Sequence, residues 1–362
     1  MPSSPFPILS INAIFNIRSA DRRFFFPSSM KNWSVLIVTV LLLSFGIGCG
    51  TQDPPVVERQ QILMGTSVSI SIAGVDEARA DQAADDAFHE IRRIEEIMST
   101  YIPVSDISRI NQAAGKQWVK VSPELVSVIR EGIRFGELSE GAFDIAIKPL
   151  TKIWSYEPGS RPPSREEIER LLPLINYHDV LVDDAKGVKL EHPGMAIVLG
   201  GIAKGYAVDR AVTVLQSEGI TDSVVNAGGD LRAIGRRSGK RAWRVGIQDP
   251  RNKDHLIGEI PLADRAVATS GDYERFYIYK GVRYHHILDP RKGEPARGCR
   301  SVTILAPTAM AADALATAVF VMGPETGLVL IEKQPETEGM IVGAKGKIFR
   351  STGFPKGGND GS

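Results

Sequence analysis

Helical and β-like periodicities are segregated along this chain, helices early and strands late, and that order limits the possible folds more than any other feature. Between Asp76 and Met98, residues Ala84, Phe88, Ile91, Ile94 and Met98 fall at three- and four-residue steps with Glu and Arg between them, which predicts an amphipathic helix. Ser122-Pro123 supplies an N-cap and a first-turn proline for a helix through about Leu138. Ser164 with Glu167 is a capping box opening another. Ala203–Glu218, stopped by Gly219, and Met310–Met322 read as further helices. Ser67–Ile72 alternates Ser with Val or Ile, the pattern of a half-buried strand. Met195–Leu199, Val224–Val225, Trp243–Ile247, Arg275–Tyr279, Tyr284–Leu288 and Ser301–Leu305 are the other predicted strands, and Gly339–Phe349 reads as a hairpin turning near Lys345-Gly346. The expected class is α+β, with mixed sheets and packed helices rather than a doubly wound parallel sheet.

The charge balance removes one class of partner. There are 43 Lys+Arg against 43 Asp+Glu in 362 residues, so the basic surplus that drives nucleic-acid binding by counterion release is missing. Two cysteines cannot build a disulfide framework or a four-thiolate zinc site, which leaves oxygen or imidazole to hold any metal. Met30-Lys-Asn-Trp-Ser followed by the apolar run Val35–Leu43 and small residues up to Cys49 has the anatomy of a secretory signal. Cys49 after Gly48 resembles a bacterial lipobox, although Gly46 stands where Leu is usual. A plain anchor helix or an ordinary cleaved signal is the competing reading. The expected organisation is an over-long extension at 1–29, a signal peptide at 30–48, a tether at 49–58, one domain at 59–354 and a flexible tail at 355–362. Export with a lipid anchor on Cys49, facing the periplasm or cell exterior, follows from that reading.

Several segments can carry chemistry, and each has a plainer explanation when taken alone. Val198–Asp209 reads as strand, glycine turn and helix start, with Lys204 in the first turn, suited to a phosphate; taken alone, a tight packing turn with a surface lysine is the better account. It is neither a Walker A loop nor a G-x-G-x-x-G. Asn226-Ala-Gly-Gly-Asp230 is most simply a turn. Asp313 and Thr317 lie four apart on one helical face and offer hard oxygens suited to Mg²⁺, or a charge at a helix start and a self-satisfied hydroxyl. On a strand His285 and His286 point to opposite faces, so one of them can face a cleft as a base. Ala268–Tyr273, Ser99–Tyr101 and Asp106–Asn111 read as polar loop segments, with Ser105 a possible N-cap, and Gly141–Asp144 as a loop packed by aromatics. Gly-x-Ser-x-Gly, His-Glu-x-x-His and Cys-x-x-Cys are all missing from the sequence, which removes α/β-hydrolases, zincins and thioredoxin-like enzymes.

Taken in order, Met64-Gly65-Thr66, Ser99–Tyr101, Ser105–Asn111, Gly141–Asp144 with Pro149-Leu150, Gly200–Asp209, Asn226–Asp230, Thr269–Tyr273, His286–Pro290 and Ala312–Thr317 resemble the ApbE flavin transferase family. The resemblance spans about residues 60 to 350. It implies a two-lobed fold with FAD in the cleft between the lobes. It also implies Mg²⁺-dependent transfer of FMN from FAD to a Thr or Ser hydroxyl of an acceptor flavoprotein, with AMP leaving; the implied acceptors are FMN-carrying subunits of exported or membrane redox complexes. By position, Asp313, Thr317 and the Gly201 carbonyl resemble the Mg²⁺ ligands. Met64, Tyr101, Ala142, Phe143, Asp144, Lys204 and Ile287 resemble FAD contacts, and His286 resembles the base for the acceptor hydroxyl. Val198 stands where members commonly carry an Asp that contacts FAD, and valine cannot accept that hydrogen bond. Two alternatives share these residues: an FAD pyrophosphatase with water as acceptor, and a non-catalytic flavin-binding lipoprotein.

Overall fold

The computed structural model describes residues 56–157, 159–237 and 241–355. The expected extension, signal segment and Cys49, together with residues 356–362 of the tail, lie outside the described residues. Eight strands form one antiparallel sheet whose spatial order follows the chain: β1 (Val57–Leu63), β2 (Thr66–Ala73), β3 (Asp222–Ala227), β4 (Asp230–Ile234), β5 (Ala266–Gly271), β6 (Cys299–Ala306), β7 (Glu338–Gly343) and β8 (Ile348–Arg350). β1 begins at Val57, two residues before the expected start of the domain at 59.

The helices are α1 (Glu77–Met98), α2 (Asp106–Gln112), α3 (Pro123–Leu138), α4 (Lys148–Ile153), α5 (Arg165–Leu171), α6 (Ala203–Ser217), α7 (Ala309–Met322) and α8 (Pro324–Glu332). The sequence caps hold: Asp76, Ser122 and Ser164 accept from the amides of Arg79, Leu125 and Glu167, and Ser105 caps α2 by accepting from Ser108. Asp106–Asn111, expected as loop, is therefore helical.

One face of the sheet carries the helices. In β2, Val68, Ile70 and Ile72 are fully buried in the large core beneath them, each contributing about 1.5–3 kcal/mol of burial, while the alternate serines face the other way. That second face is covered by the hairpin Trp243–Gln248 with Leu256–Leu262, whose Trp243, Val245 and Ile260 pack with Leu231, Val267 and Leu305. α7 is apolar and buried nearly all round, as a central helix must be; Asp313 and Thr317 are exceptions to that composition.

A smaller core, Leu150, Trp154, Ile168, Tyr277 and Leu288, joins α4 and α5 to the hairpin Phe276–Tyr279 with Val282–His285. Tyr284 stacks between Tyr277 (5.3 Å) and Trp154 (5.8 Å). Two chain segments pass from the large core to the small one, Ala142–Leu150 and Ile287–Leu288. Both carry expected site residues, Ala142, Phe143 and Asp144 on the first and Ile287 on the second.

Two strand expectations and one loop expectation are corrected. Met195–Leu199 forms only an isolated parallel bridge, Ile147 with Ala196, because side chains and loops take its ladder bonds: Asn111 pairs with both the N–H (2.7 Å) and the C=O (2.9 Å) of Ile197, and Val198 N–H donates to Ile145 O (2.8 Å). Ala268–Tyr273, expected as loop, is largely β5, an interior strand of the sheet paired with β6 and β4. Tyr284–Leu288 is not one strand: the hairpin ends at His285, His286 sits at a bend, and a short strand resumes at Leu288.

Candidate active site

The site is built where α6, α7 and the β3–β4 turn converge. A Cβ on Gly205 would stand 2.2 Å from the Ala309 carbonyl oxygen, so only glycine lets the starts of α6 and α7 approach so closely. Asp209, one turn further along α6, accepts the N–H groups of Ala309 and Met310 (both 2.9 Å) and the Arg232 guanidinium (2.8 Å). The first turn of α7 is thereby fixed, and with it the positions of Asp313 and Thr317 on one face.

Gly205 N–H donates to Asp313 Oδ2 (3.2 Å). The Lys204 ammonium pairs with Asp230 and lies 3.8 Å from Asp313 Oδ2. Asp230 itself closes the Asn226–Asp230 turn, in which Gly228 and Gly229 have positive φ and Gly229 N–H donates to Asn226 Oδ1 (3.0 Å). Thr317 Oγ1 shares a 3.3 Å hydrogen bond with Ser270 Oγ of β5. Gly201 lies beside them: a Cβ there would be 3.4 Å from Thr317 Oγ1 and 3.0 Å from the Phe143 ring.

Burial pushes the Asp313 carboxyl up to about 7, and the adjacent Asp230 carboxylate adds to the rise. Asp230 is raised by burial against the pull of Lys204. Burial alone would lower Lys204, but the two carboxylates outweigh it and hold the ammonium above its ordinary value. Two buried carboxyl groups therefore share one ammonium, so keeping both ionised is costly and a bound cation relieves that cost. Among the described residues no three His, Cys, Asp or Glu side chains converge as a metal cluster. Asp313 and Thr317 offer hard oxygens of the kind that suits Mg²⁺, an ion that keeps waters and takes substrate phosphates.

The two histidines are sharply different. His285 is buried; its Nδ1 accepts Ile287 N–H (3.3 Å), so the proton is on Nε2, which donates to Ala296 O (2.7 Å). His286 Nδ1 is buried with no hydrogen-bond partner. Burial lowers both rings to about 4, and for His286 the charges of Arg275 and Lys204 add to this. Both rings are neutral at pH 7.

The remaining candidates occupy different settings. Asp144 is buried and accepts Ala146 N–H (2.7 Å) and Tyr177 N–H (3.0 Å); burial raises it to about 6 against those two donors. Its side chain clips the loop, and Ala142, Phe143 and Ile287 are also buried, packed in the large core. Phe143 meets Phe135 edge-on at 6.3 Å, as the aromatic-packed loop predicted. Tyr101 is outside the charged network, 84% exposed, with Lys148 Nζ 5.2 Å above its ring. Met64 has φ +52° in the β1–β2 turn, and Gly228 N–H donates to Ser67 O (3.1 Å) at the start of β2. Val198 is half-buried.

The structure adds three residues to the set from sequence: Asp230, Ser270 and Arg275. Asp230 was visible as the last residue of the Asn226–Asp230 motif, where a turn already explained it. Ser270 lay inside the hydroxyl-rich Thr269–Tyr273 segment without being singled out, and Arg275 carried no signal of its own.

An antiparallel sheet backed by helices, with a lysine–carboxylate–hydroxyl cluster at the starts of α6 and α7, defines an α+β protein with a charged site. The sequence profile of the ApbE family matches residues 64–341. The FAD:protein FMN transferase of Vibrio cholerae serotype O1 is 34% identical over 321 residues, covering 86% of this chain and 94% of that protein. Among solved structures, the ApbE protein of Thermotoga maritima is 40% identical with a TM-score of 0.77, covering 82% of this chain and 97% of that one. The flavin transferase ApbE from Vibrio cholerae is 30% identical with a TM-score of 0.73, covering 83% and 99%. The chain belongs to the ApbE family.

Proposed function

We propose that this chain is an FAD:protein FMN transferase that moves FMN from FAD onto a Thr or Ser hydroxyl of an acceptor flavoprotein, with Mg²⁺ and with release of AMP. The observation that carries the reading is the buried cluster of Lys204, Asp230, Asp313 and Thr317, short of positive charge and adjoined by a histidine with an unpaired ring nitrogen. A non-catalytic flavin carrier needs neither feature.

Bound Mg²⁺ supplies charge neutralisation at the pyrophosphate, and Asp313, Thr317 and the Gly201 carbonyl are the residues to hold it. Lys204 contributes a fixed ammonium beside the same phosphates, and a preorganised cation costs no reorganisation as charge develops. His286 is neutral at pH 7 and takes the proton of the acceptor hydroxyl. The acceptor oxygen then bonds to the FMN phosphorus, the bond from that phosphorus to the bridging oxygen breaks, and the bridging oxygen leaves on AMP. The anionic substrate beside His286 raises the basicity of the ring during that step.

Export and lipidation at Cys49 are part of the proposal and rest on the sequence of residues 30–49. Among the described residues no helix is long and apolar enough to cross a membrane. The test mixes the chain with FAD, Mg²⁺ and an FMN-domain acceptor bearing an exposed Thr, and follows the acceptor by intact-mass spectrometry while AMP is assayed. An FMN-sized gain that EDTA abolishes is expected. AMP and free FMN from the full reaction, with an acceptor of proven competence left unlabelled, would identify a pyrophosphatase instead.

A further inference from the structure

A second charged site lies away from the Lys204 cluster. A cleft of about 170 Å³ is lined by Arg251, Arg283, Arg297 and Arg300 around Asp272, with His285 and Cys299 in its wall. Four guanidinium groups face a single carboxylate. Asp272 is consumed by Arg251, which grips it with two N–H donors at 2.6 and 2.7 Å. Among the described residues, none of the other three has a carboxylate within ion-pair distance. Arg283 donates to the Asp272 carbonyl (3.3 Å) and lies 3.7 Å over Phe276. Arg297 donates to the Arg283 carbonyl (2.5 Å) and lies 5.1 Å from the Tyr284 ring. Arg300 donates through Nε to Ala344 O (2.9 Å).

Each of these three groups has five N–H donors and spends few of them on the protein. Arg283 and Arg300 are half-buried and Arg297 is exposed, and keeping half-buried guanidinium groups without counter-charge costs free energy that the fold does not recover internally. Burial lowers the Arg283 pKa, which is the same cost seen from the proton's side. The neighbouring groups do not compensate: His285 is neutral with both ring nitrogens engaged, and burial pushes the Cys299 thiol up to about 12, so it carries no thiolate.

We propose that this cleft binds a phosphate-class oxyanion. Arginine forks arriving from the hairpin, the segment after Pro295 and β6 suit a tetrahedral anion with acceptor oxygens on several sides, and guanidinium matches that geometry with paired donors. The volume is below the roughly 300–1,000 Å³ of sites for larger ligands, so free phosphate or the head of a phosphate monoester enters and a dinucleotide does not. The site is distinct from the one proposed for FMN transfer and uses none of its residues. A bound anion ties Arg283, on the strand that ends one residue before His286, to Arg300 on the main sheet.

The test is calorimetric titration of inorganic phosphate into the detergent-solubilised full chain without FAD or Mg²⁺, against sodium chloride at matched ionic strength. Saturable phosphate binding is expected, weakened at least tenfold by Arg283→Gln combined with Arg300→Gln. Phosphate held near Lys204 cancels in that difference. Arg297→Gln, at an exposed position that tolerates change, is expected to weaken binding at least threefold and decides the matter if circular dichroism shows the double variant unfolded. AMP binding with the same arginine dependence would identify a monoester as the occupant, and phosphate alone the free ion. Heats equal to those of chloride, or phosphate binding unchanged in the arginine variants, would overturn the proposal.

Discussion

Two kinds of buried polar centre stand close together in this molecule. Asp144 and His285 have their acceptors and donors matched by backbone groups: the carboxylate takes two amides, and the imidazole gives to one carbonyl and takes from one amide. Asp230, Asp313 and Thr317 are held as firmly by α6, α7 and β5, yet they keep a surplus of negative charge, and His286 keeps an orphaned nitrogen. Buried polar groups in folded proteins are normally paired. The matched centres therefore fix loops, and the unmatched ones mark where a ligand completes the set.

The largest expected effect tests the unmatched side. Asp313→Ala should reduce Mg²⁺-dependent FMN transfer by about a thousandfold or more, because charge stabilisation at a transferring phosphoryl group is lost outright. The time course of acceptor mass measures this, and unaltered transfer would move Asp313 into the structural group. His286→Ala should follow, slowing transfer by about a hundredfold or more while FAD affinity, read by flavin fluorescence, stays within about twofold. Equal losses of rate and affinity would make His286 a binding residue.

His285→Ala should invert that pattern. Removing a ring with two buried hydrogen bonds should cost about 2–3 kcal/mol of stability, measured by denaturant unfolding, while the transfer rate per folded molecule changes only severalfold. A rate collapse without loss of stability would erase the distinction between the two histidines. Titration sharpens the same comparison. The His285 pKa is about 4 in the folded chain and about 6.5 when unfolded, so the unfolded state binds the extra proton between these values. Its contribution is fully present above about pH 6.5 and is lost as pH falls toward 4, by on the order of 1 kcal/mol per pH unit. The wild type should accordingly lose stability relative to His285→Gln across that window. A constant difference between the two unfolding curves would show that His285 does not titrate there.

Local signals made the helices legible and left part of the sheet hidden. Asp76, Ser122 and Ser164 announce helix starts within four residues, and the structure places caps on all three. β5 gives no such notice: Ala-Thr-Ser-Gly has small polar residues where alternation would be read. Its identity depends on β6, where Thr303, 34 positions away, shares a 2.9 Å hydrogen bond with Thr269. Met195–Leu199 misleads in the opposite sense, since its apolar run resembles a strand while Asn111, 86 positions away from Ile197, supplies the pairing. Within the site, the four-residue spacing of Asp313 and Thr317 was visible, and so was Lys204 in a helix first turn. The Lys204–Asp230 contact spans 26 positions and joins two segments that each had a sufficient local explanation. What was hidden in both cases was pairing between distant segments.

Val198 offers the smallest and finest test, because it belongs to neither kind of centre. Its backbone is committed to Ile145, while its half-buried side chain has no polar atom to leave unpaired. Val198→Asp places a carboxylate two residues before the Gly200-Gly201 turn without disturbing that backbone bond. The change converts an apolar wall into an acceptor, and the expected result is FAD binding tightened severalfold, by roughly the 0.5–1.5 kcal/mol of a net hydrogen bond. Transfer at saturating FAD should change little, since the groups that handle the phosphates are untouched. Fluorescence titration of FAD into both chains measures the first quantity and acceptor mass the second. Affinity that does not move would place Val198 away from the flavin. Weaker binding would mean that a third carboxylate adds to the negative surplus of Asp230 and Asp313, so that charge repulsion outweighs hydrogen bonding at this end of the cleft.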